Sequence, residues 1–167
     1  MGRWVAVAAA VLVVGCGGEA PGPVVRPSQC DDVVLGVCVV SRAQPVEARY
    51  VERSLRLALA YWGASEEALA GWAIVYGDEQ IPCGSTPAAS GCAWWDENRT
   101  VELQMLDPEC PETAQLVHEV GHVLHRDGGH SGPWWDWIGE QNATWDIVRT
   151  EGASPGCARS RYYVTRQ

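Results

Sequence analysis

Apolar and polar residues follow one another along the first half of this chain in patterns that predict alternating strands and helices. Asp32 to Val40 is a nearly continuous apolar run rich in β-branched residues, which is typical of a buried strand. From Pro45 to Gly63 the apolar residues recur every three to four positions, which predicts an amphipathic helix that ends at the glycine. Trp72 to Tyr76 is predicted to be a second strand.

A loop and a β-hairpin are predicted next. We expect a loop from Gly77 to Gly91, held at its ends by Cys83 and Cys92. Ala93 to Trp95 and Arg99 to Leu106 flank a short polar turn, which is the pattern of a hairpin. In its second arm every other residue is apolar, so one face of this strand should be buried and the other exposed.

Two further helices complete the predicted elements. An apolar stripe on the first comprises Val117, Val120, Val123 and Leu124. This helix should begin near Pro111 and end near Arg126 or Asp127, because Gly128-Gly129 permits the left-handed backbone of a helix stop. Trp134 to about Arg149 is predicted to be the final helix. These elements indicate an α+β domain.

The first residues of the chain are typical of an export signal. Arg3 is followed by an apolar run from Val5 to Val14, which is too short to span a bilayer. The next residues, Gly15-Cys16, complete a sequence that resembles a bacterial lipobox, in which Cys16 becomes acylated and anchors the protein to a membrane surface. The alternative is an ordinary secretory signal with an incidental cysteine. The expected parts are a signal peptide over residues 1–16, a flexible Gly- and Pro-rich tether over 17–29 and a folded domain over 30–167.

Six cysteines remain after the signal peptide, and an even number in an exported domain indicates disulfides. The six are Cys30, Cys38, Cys83, Cys92, Cys110 and Cys157. Fifteen pairings are possible. Short loops favour Cys30–Cys38 and Cys83–Cys92, which leaves Cys110–Cys157. A zinc site built from cysteines is the competing interpretation, but the chain has no C-x-x-C spacing.

The charge balance limits the classes of partner. The chain has 21 acidic residues and 12 basic ones, all of them arginine, and its net charge is −9. A strongly acidic chain without a basic run is not expected to bind nucleic acid. About 150 residues remain after the signal, which is enough for one hydrophobic core, and we expect a monomer.

All four histidines lie between His118 and His130, in a segment that contains the pattern H-E-x-x-H. On a helix, His118 and His122 are about 40° apart around the axis, so both imidazoles can reach one Zn²⁺ ion. Glu119 lies about 100° from His118 and can lean toward a water at the metal without being a ligand. The alternative is an amphipathic helix whose histidines are merely solvated.

A zinc site also needs a third protein ligand. His130 is the leading candidate, because the chain can turn back toward the metal at Gly128-Gly129. His125 is a weaker candidate, since it lies about 10.5 Å from His118 along the helix axis and could share a metal only with His122. Asp136 and Glu140 are two further alternatives, because a carboxylate from a following helix often completes such a site.

The run Val117 to Leu124 resembles the active-site helix of the zincin metallopeptidases, and completion by His130 is similar to the metzincin branch of that family. The third histidine comes two residues later than in the metzincin pattern, and no methionine follows Met105. The resemblance implies a small zincin-like fold with a mixed, twisted sheet, in which an edge strand lines the cleft and pairs with an extended peptide. On this basis Glu102 to Leu106 would lie along the substrate groove. Trp134 and Trp135 are expected either to pack in the core or to line a substrate pocket.

Together these features predict a zinc-dependent endopeptidase, anchored by lipid in the cell envelope at the outer membrane or the extracellular face. His118, His122 and His130 would bind Zn²⁺, and Glu119 would be the general base for hydrolysis of a peptide or protein substrate. A second hypothesis is a non-catalytic zinc-binding or interaction lipoprotein that retains the zincin fold. A third is an envelope protein without metal, held together by its disulfides.

Overall fold

Seven strands and two helices are present in residues 22–105, 113–130 and 132–136, which are the residues described by the structure, a computed structural model. In chain order they are β1 (Asp32–Val34), β2 (Val37–Ser41), α1 (Ala48–Trp62), β3 (Ala73–Gly77), β4 (Ile81–Cys83), β5 (Thr86–Ala89), β6 (Gly91–Trp94), β7 (Thr100–Gln104) and α2 (Thr113–His125). Short 3-10 turns occur at Pro27–Gln29 and Glu66–Leu69. Within these residues no helix combines the length and hydropathy required to cross a membrane.

Five strands form one mixed sheet in the order β1-β2-β3-β7-β6, and β4 pairs with β5 in a separate two-stranded hairpin. The central strands β2, β3 and β7 are parallel, while β1 and β6 run antiparallel to their neighbours at the two edges. The helices α1 and α2 pack on each other and bury their apolar faces against the sheet. The predicted α+β class and the mixed sheet are therefore confirmed.

The predicted strand from Asp32 to Val40 is wrong in one respect, because the chain reverses in its middle. Leu35 and Gly36 have φ angles of 50° and 77°, so β1 and β2 form a tight hairpin with two left-handed residues in its turn. A leucine rarely adopts this backbone conformation, and the apolar run therefore gave little sign of the turn.

The predicted helix before Gly63 and the strand after Trp72 are confirmed. Gly63 has a φ of 64°, and its N–H bonds back to the carbonyl of Ala60, so it ends α1 as a left-handed cap. The buried residues Val51, Leu55 and Leu59 lie on one face of the helix. Strand β3 occupies the centre of the sheet, where four of its five residues are buried.

The expected loop between Gly77 and Gly91 contains the hairpin of β4 and β5, which the sequence analysis did not predict. A disulfide between Cys83 and Cys92 joins this hairpin to β6, and a second disulfide joins Cys30 to Cys38. Both expected short-range pairs are confirmed. Cys16 and the pair Cys110–Cys157 lie outside the described residues.

The predicted β6–β7 hairpin is confirmed, but its role in the sheet differs from the expectation. The zincin resemblance implied that Glu102 to Leu106 lies at the sheet edge along the groove. This is wrong for the described part, because β7 lies between β3 and β6, and Glu102 instead forms an ion pair with Arg42 at 2.7 Å. The edge strand on this side of the sheet is β6. Leu106 lies outside the described residues.

Helix α2 ends one residue before the predicted position. Its last residue is His125, and Arg126 takes the left-handed conformation with a φ of 50°. Gly128 and Gly129 are not in the left-handed region, so their expected role as the stop is wrong. The predicted final helix from Trp134 to Arg149 lies almost wholly outside the described residues, and the three of its residues that are described are not helical.

Part of the expected tether is packed on the domain. The N–H of Gly22 donates to the carboxylate of Asp96 at 3.0 Å, and the Asn98 side chain donates to the carbonyl of Gly22 at 2.8 Å. Gly22 lies so close to Trp94 that an added Cβ atom would come within 2.4 Å of the Trp94 Cβ and 2.5 Å of its Cγ. The chain is therefore fixed to the turn between β6 and β7 from Gly22 onward.

Candidate metal centre

Three histidine rings converge at the surface of α2. The Nε2 atoms of His118 and His122, one helical turn apart, are separated by 3.1 Å. The loop after the helix brings Nε2 of His130 to 2.9 Å from His118 and 3.2 Å from His122. Nitrogen ligands at about 2.0–2.1 Å from a tetrahedral zinc ion lie roughly 3.3 Å apart. This group of three histidines could therefore hold a metal ion.

The buried member of the group, His122, is held in the form that binds metals. Its Nδ1–H donates to the backbone carbonyl of Asp127, which leaves the lone pair of Nε2 directed at the other two rings. Burial lowers the pKa of His122 to about 4. The ring is therefore neutral near pH 7, and no bound proton blocks Nε2.

Asp127 also organises the loop that carries His130. Its carboxylate accepts hydrogen bonds from the N–H of Gly129 and from Nε1 of Trp134, each at 2.8 Å. Both bonds lower the pKa of Asp127, the bond from Trp134 more strongly, and keep its carboxylate ionised. Through its carbonyl and its carboxylate, one residue thus positions His122, the turn before His130 and the Trp134 ring.

Glu119 is buried against the edge strand beside the three histidines. Its side chain is only 6% exposed, yet it lines the same cleft as His118, His122 and His130. A Cβ atom added to Gly91 would lie 2.6 Å from Oε1 of Glu119 and 2.9 Å from its Cγ. The absence of a side chain at Gly91 therefore lets the strand approach the carboxylate closely.

The cleft in front of the histidines has a volume of about 380 Å³. One wall is formed by small residues of the β5–β6 segment, including Ala89, Gly91 and Ala93. Because alternate residues of a strand share a face, Gly91 and Ala93 present the same side of β6 to the cleft, and Trp95, directly after the strand, also lines it. The opposite wall carries Trp135, which is 39% exposed and whose ring centre lies 5.0 Å from that of His130.

The fourth histidine and the other candidate ligands are placed differently. His125 is exposed and stacks on Trp134, with the ring centres 5.1 Å apart and the planes at 14°. Trp134 and Trp62 both pack against α2 at Gly121, where an added Cβ would come within 2.6 Å of the Trp62 ring. Asp136 is exposed and does not belong to the metal-binding group, and Glu140 lies outside the described residues.

Sequence reasoning missed several residues that build this site. Asp127 and Gly91 are important only because of what they contact in the folded chain, and no sequence pattern marks them. Gln115 also lines the cleft and is buried. A weak signal for Gln115 exists, since it precedes His118 by three residues and Glu119 by four and so lies on the same side of a helix.

Comparisons of the whole chain with protein families, with curated proteins and with solved structures find no match.

Proposed function

We propose that this protein is a zinc-dependent peptidase, and the observation that carries the proposal is the convergence of three Nε2 atoms beside a buried glutamate. Three imidazoles that leave one side of the metal open are the donor set of catalytic zinc sites. The contact from His122 Nδ1 to the Asp127 carbonyl is the kind of outer contact that orients such ligands. His118, His122 and His130 would hold the metal, and a bound zinc ion would supply the Lewis acidity that activates water and polarises a carbonyl group.

Glu119 is the residue of this chain that would move protons. Its carboxylate faces the cleft rather than joining the histidine group, so it can act as a base. It would accept a proton from the water that attacks the carbonyl carbon of the substrate. It would then deliver that proton to the amine nitrogen as the C–N bond breaks, so that one water is consumed and two peptide ends are released.

The edge strand gives the cleft a means of binding an extended chain. On one side β6 pairs with β7, while its other side is the edge of the sheet. A peptide could add to this edge by backbone hydrogen bonds and would then pass in front of the histidines. A peptide bound in this way would use β6 as the edge strand of the cleft, the role that the zincin resemblance implied for Glu102–Leu106.

The proposed location is the cell envelope. Two disulfides are typical of a protein that folds in an oxidising compartment. The expected signal peptide and the acylation of Cys16 would place the domain on a membrane surface, where it would meet peptide or protein substrates.

The test compares the full mature chain with the variant Glu119→Gln. Bound metal is measured by elemental analysis, and cleavage of a peptide mixture and of an unfolded protein is followed by mass spectrometry. We expect about one zinc per chain in both proteins, hydrolysis by the wild type alone, and loss of hydrolysis with a chelator that added zinc reverses.

The matched control is His125→Gln, which changes a histidine of the same helix outside the converging group and should keep both metal and hydrolysis. Metal without cleavage in the wild type would support the non-catalytic metal-binding lipoprotein instead. A wild-type chain that binds no metal would refute both of these hypotheses.

A further inference from the structure

Gln115 is a buried polar residue in the wall of the cleft. Its side chain is 6% exposed and lines the cleft together with His118 and Glu119. Its Oε1 atom is buried and has no hydrogen-bond partner among the described residues. A buried carbonyl oxygen without a donor is unfavourable, because it has lost its bonds to water and gained none in return.

Two other buried polar atoms in the described part of the chain also have no hydrogen-bond partner, but they lie away from the cleft. They are the hydroxyl of Tyr76 and Nε1 of Trp94, and neither residue lines the cleft. Of these three residues only Gln115 lines the cleft, so only its amide could turn toward a bound ligand. Leucine or methionine would fill the same space without this penalty, which favours a role for the amide in binding a ligand.

The geometry points to Gln115 as a specificity-determining residue that accepts a hydrogen bond from a substrate side chain next to the scissile bond. This inference rests on the proposed function. The backbone of an extended peptide would pair with β6, so its side chains would point alternately toward α2 and away from it. Gln115 lies on α2 and would therefore meet a side chain. A neutral amide oxygen selects a hydroxyl or carboxamide donor, as in Thr, Ser or Asn, over an apolar side chain of the same shape.

The experiment uses matched peptides that differ only in Thr against Val, or Asn against Leu, at each position near the cleavage site. One neutral hydrogen bond changes affinity by up to about tenfold. We expect the wild type to prefer the Thr and Asn peptides by about that factor in kcat/KM. The variant Gln115→Leu should reduce the ratio to about one, while its metal content is unchanged and its midpoint of thermal unfolding is the same or higher.

Gln115→Met is a second variant that also removes the amide, so that a packing defect specific to Gln115→Leu is not mistaken for loss of the hydrogen bond. A merely structural role for Gln115 predicts a lower unfolding midpoint and equal losses for both peptides of a pair. That result, or a Thr-to-Val ratio that survives both substitutions, would overturn the inference.

Peptide binding is also measured by calorimetry in the Glu119→Gln background, with and without Gln115→Leu, because binding does not require turnover. If the wild type cleaves nothing but the donor-bearing peptides bind more tightly and lose that advantage in Gln115→Leu, the proposed peptidase activity fails and the assignment of Gln115 stands. If cleavage occurs without any preference within the pairs, the assignment fails and the peptidase stands.

Discussion

Two histidines three residues apart on α2, His122 and His125, both contact Trp134 but differ in burial and in the contacts of their ring nitrogens. His122 is buried, its Nδ1 is bound to a carbonyl, and its Nε2 faces two other imidazole nitrogens. His125 is exposed, and its ring is stacked on Trp134. The helix thus has a cleft side with converging nitrogens and an aromatic side formed by Trp62 and Trp134. A histidine is a candidate ligand because of what fixes each of its two nitrogens, not because of its place in a motif.

The largest difference between the two sides should appear on metal binding. His122→Gln removes one of three nitrogens, and its effect should exceed the roughly 10–100-fold loss of affinity typical when an outer contact of a metal site is removed. His125→Gln should leave affinity unchanged. Competition of each variant with a zinc chelator measures both constants. Equal losses in the two variants would show that the convergence of His118, His122 and His130 does not bind the metal.

A methyl group at Gly91 should disturb the cleft side without touching the histidines. The added Cβ would push against the Glu119 carboxylate, and displacement of a catalytic group by about 1 Å can reduce a rate by about 10²-fold. Gly91→Ala should therefore keep its zinc and lose most of its hydrolysis. Gly77→Ala is the control, because a Cβ at that position has no neighbour within 4 Å. Full activity in Gly91→Ala would mean that Glu119 is not held in a critical position by β6.

Asp127 connects the two sides, since its carbonyl contacts His122 and its carboxylate holds Trp134. Asp127→Ala removes the carboxylate and frees the turn that carries His130, so zinc affinity should fall by about tenfold, at the lower end of the range for outer contacts. Asp127→Asn retains one acceptor oxygen and should recover part of the loss. Chelator competition again provides the measurement, and an unchanged constant in Asp127→Ala would mean that the turn is held without the carboxylate.

A substitution on the aromatic side should have the smallest effect on metal binding and should change the free energy of unfolding instead. In Gly121→Ala the new methyl group would overlap Trp62 and Trp134, and overpacking of this kind lowers the free energy of unfolding by about 1–3 kcal/mol. The greater helix propensity of alanine offsets this by up to about 1 kcal/mol. Denaturant unfolding measures the net change. A more stable variant would show that the two tryptophans can move away from α2 at little cost.

The sequence predicts those parts of the site that depend on local periodicity. The spacing of His118 and His122 has the same meaning on any helix, and a short loop that returns to the helix explains why His130 was identified. The sheet edge was assigned wrongly because strand order is non-local. β7 follows β6 along the chain, yet it inserts next to β3, and the hairpin turn then leaves β6 outermost. No local sequence pattern indicates which strand of the hairpin lies at the edge of the sheet.

Other features depend on contacts between residues distant in the chain. Gly91 is separated from Glu119 by 28 positions, and a glycine in a strand gives no sign of the carboxylate that it accommodates. The turn at Leu35 was missed for a different reason, because its left-handed backbone contradicts the preference of leucine.

The attachment of Gly22 to the β6–β7 turn limits how far the folded domain could move away from a lipid anchor at Cys16. For a protein held in a bilayer by an acyl group on Cys16, only six Cα–Cα steps separate the lipid-bearing residue from the folded body, a reach of roughly 20 Å at full extension. Such a short tether would keep the end of the cleft near Trp95 close to the lipid headgroups of the bilayer. If the proposed peptidase activity holds, its substrates would be chains at or near the membrane surface.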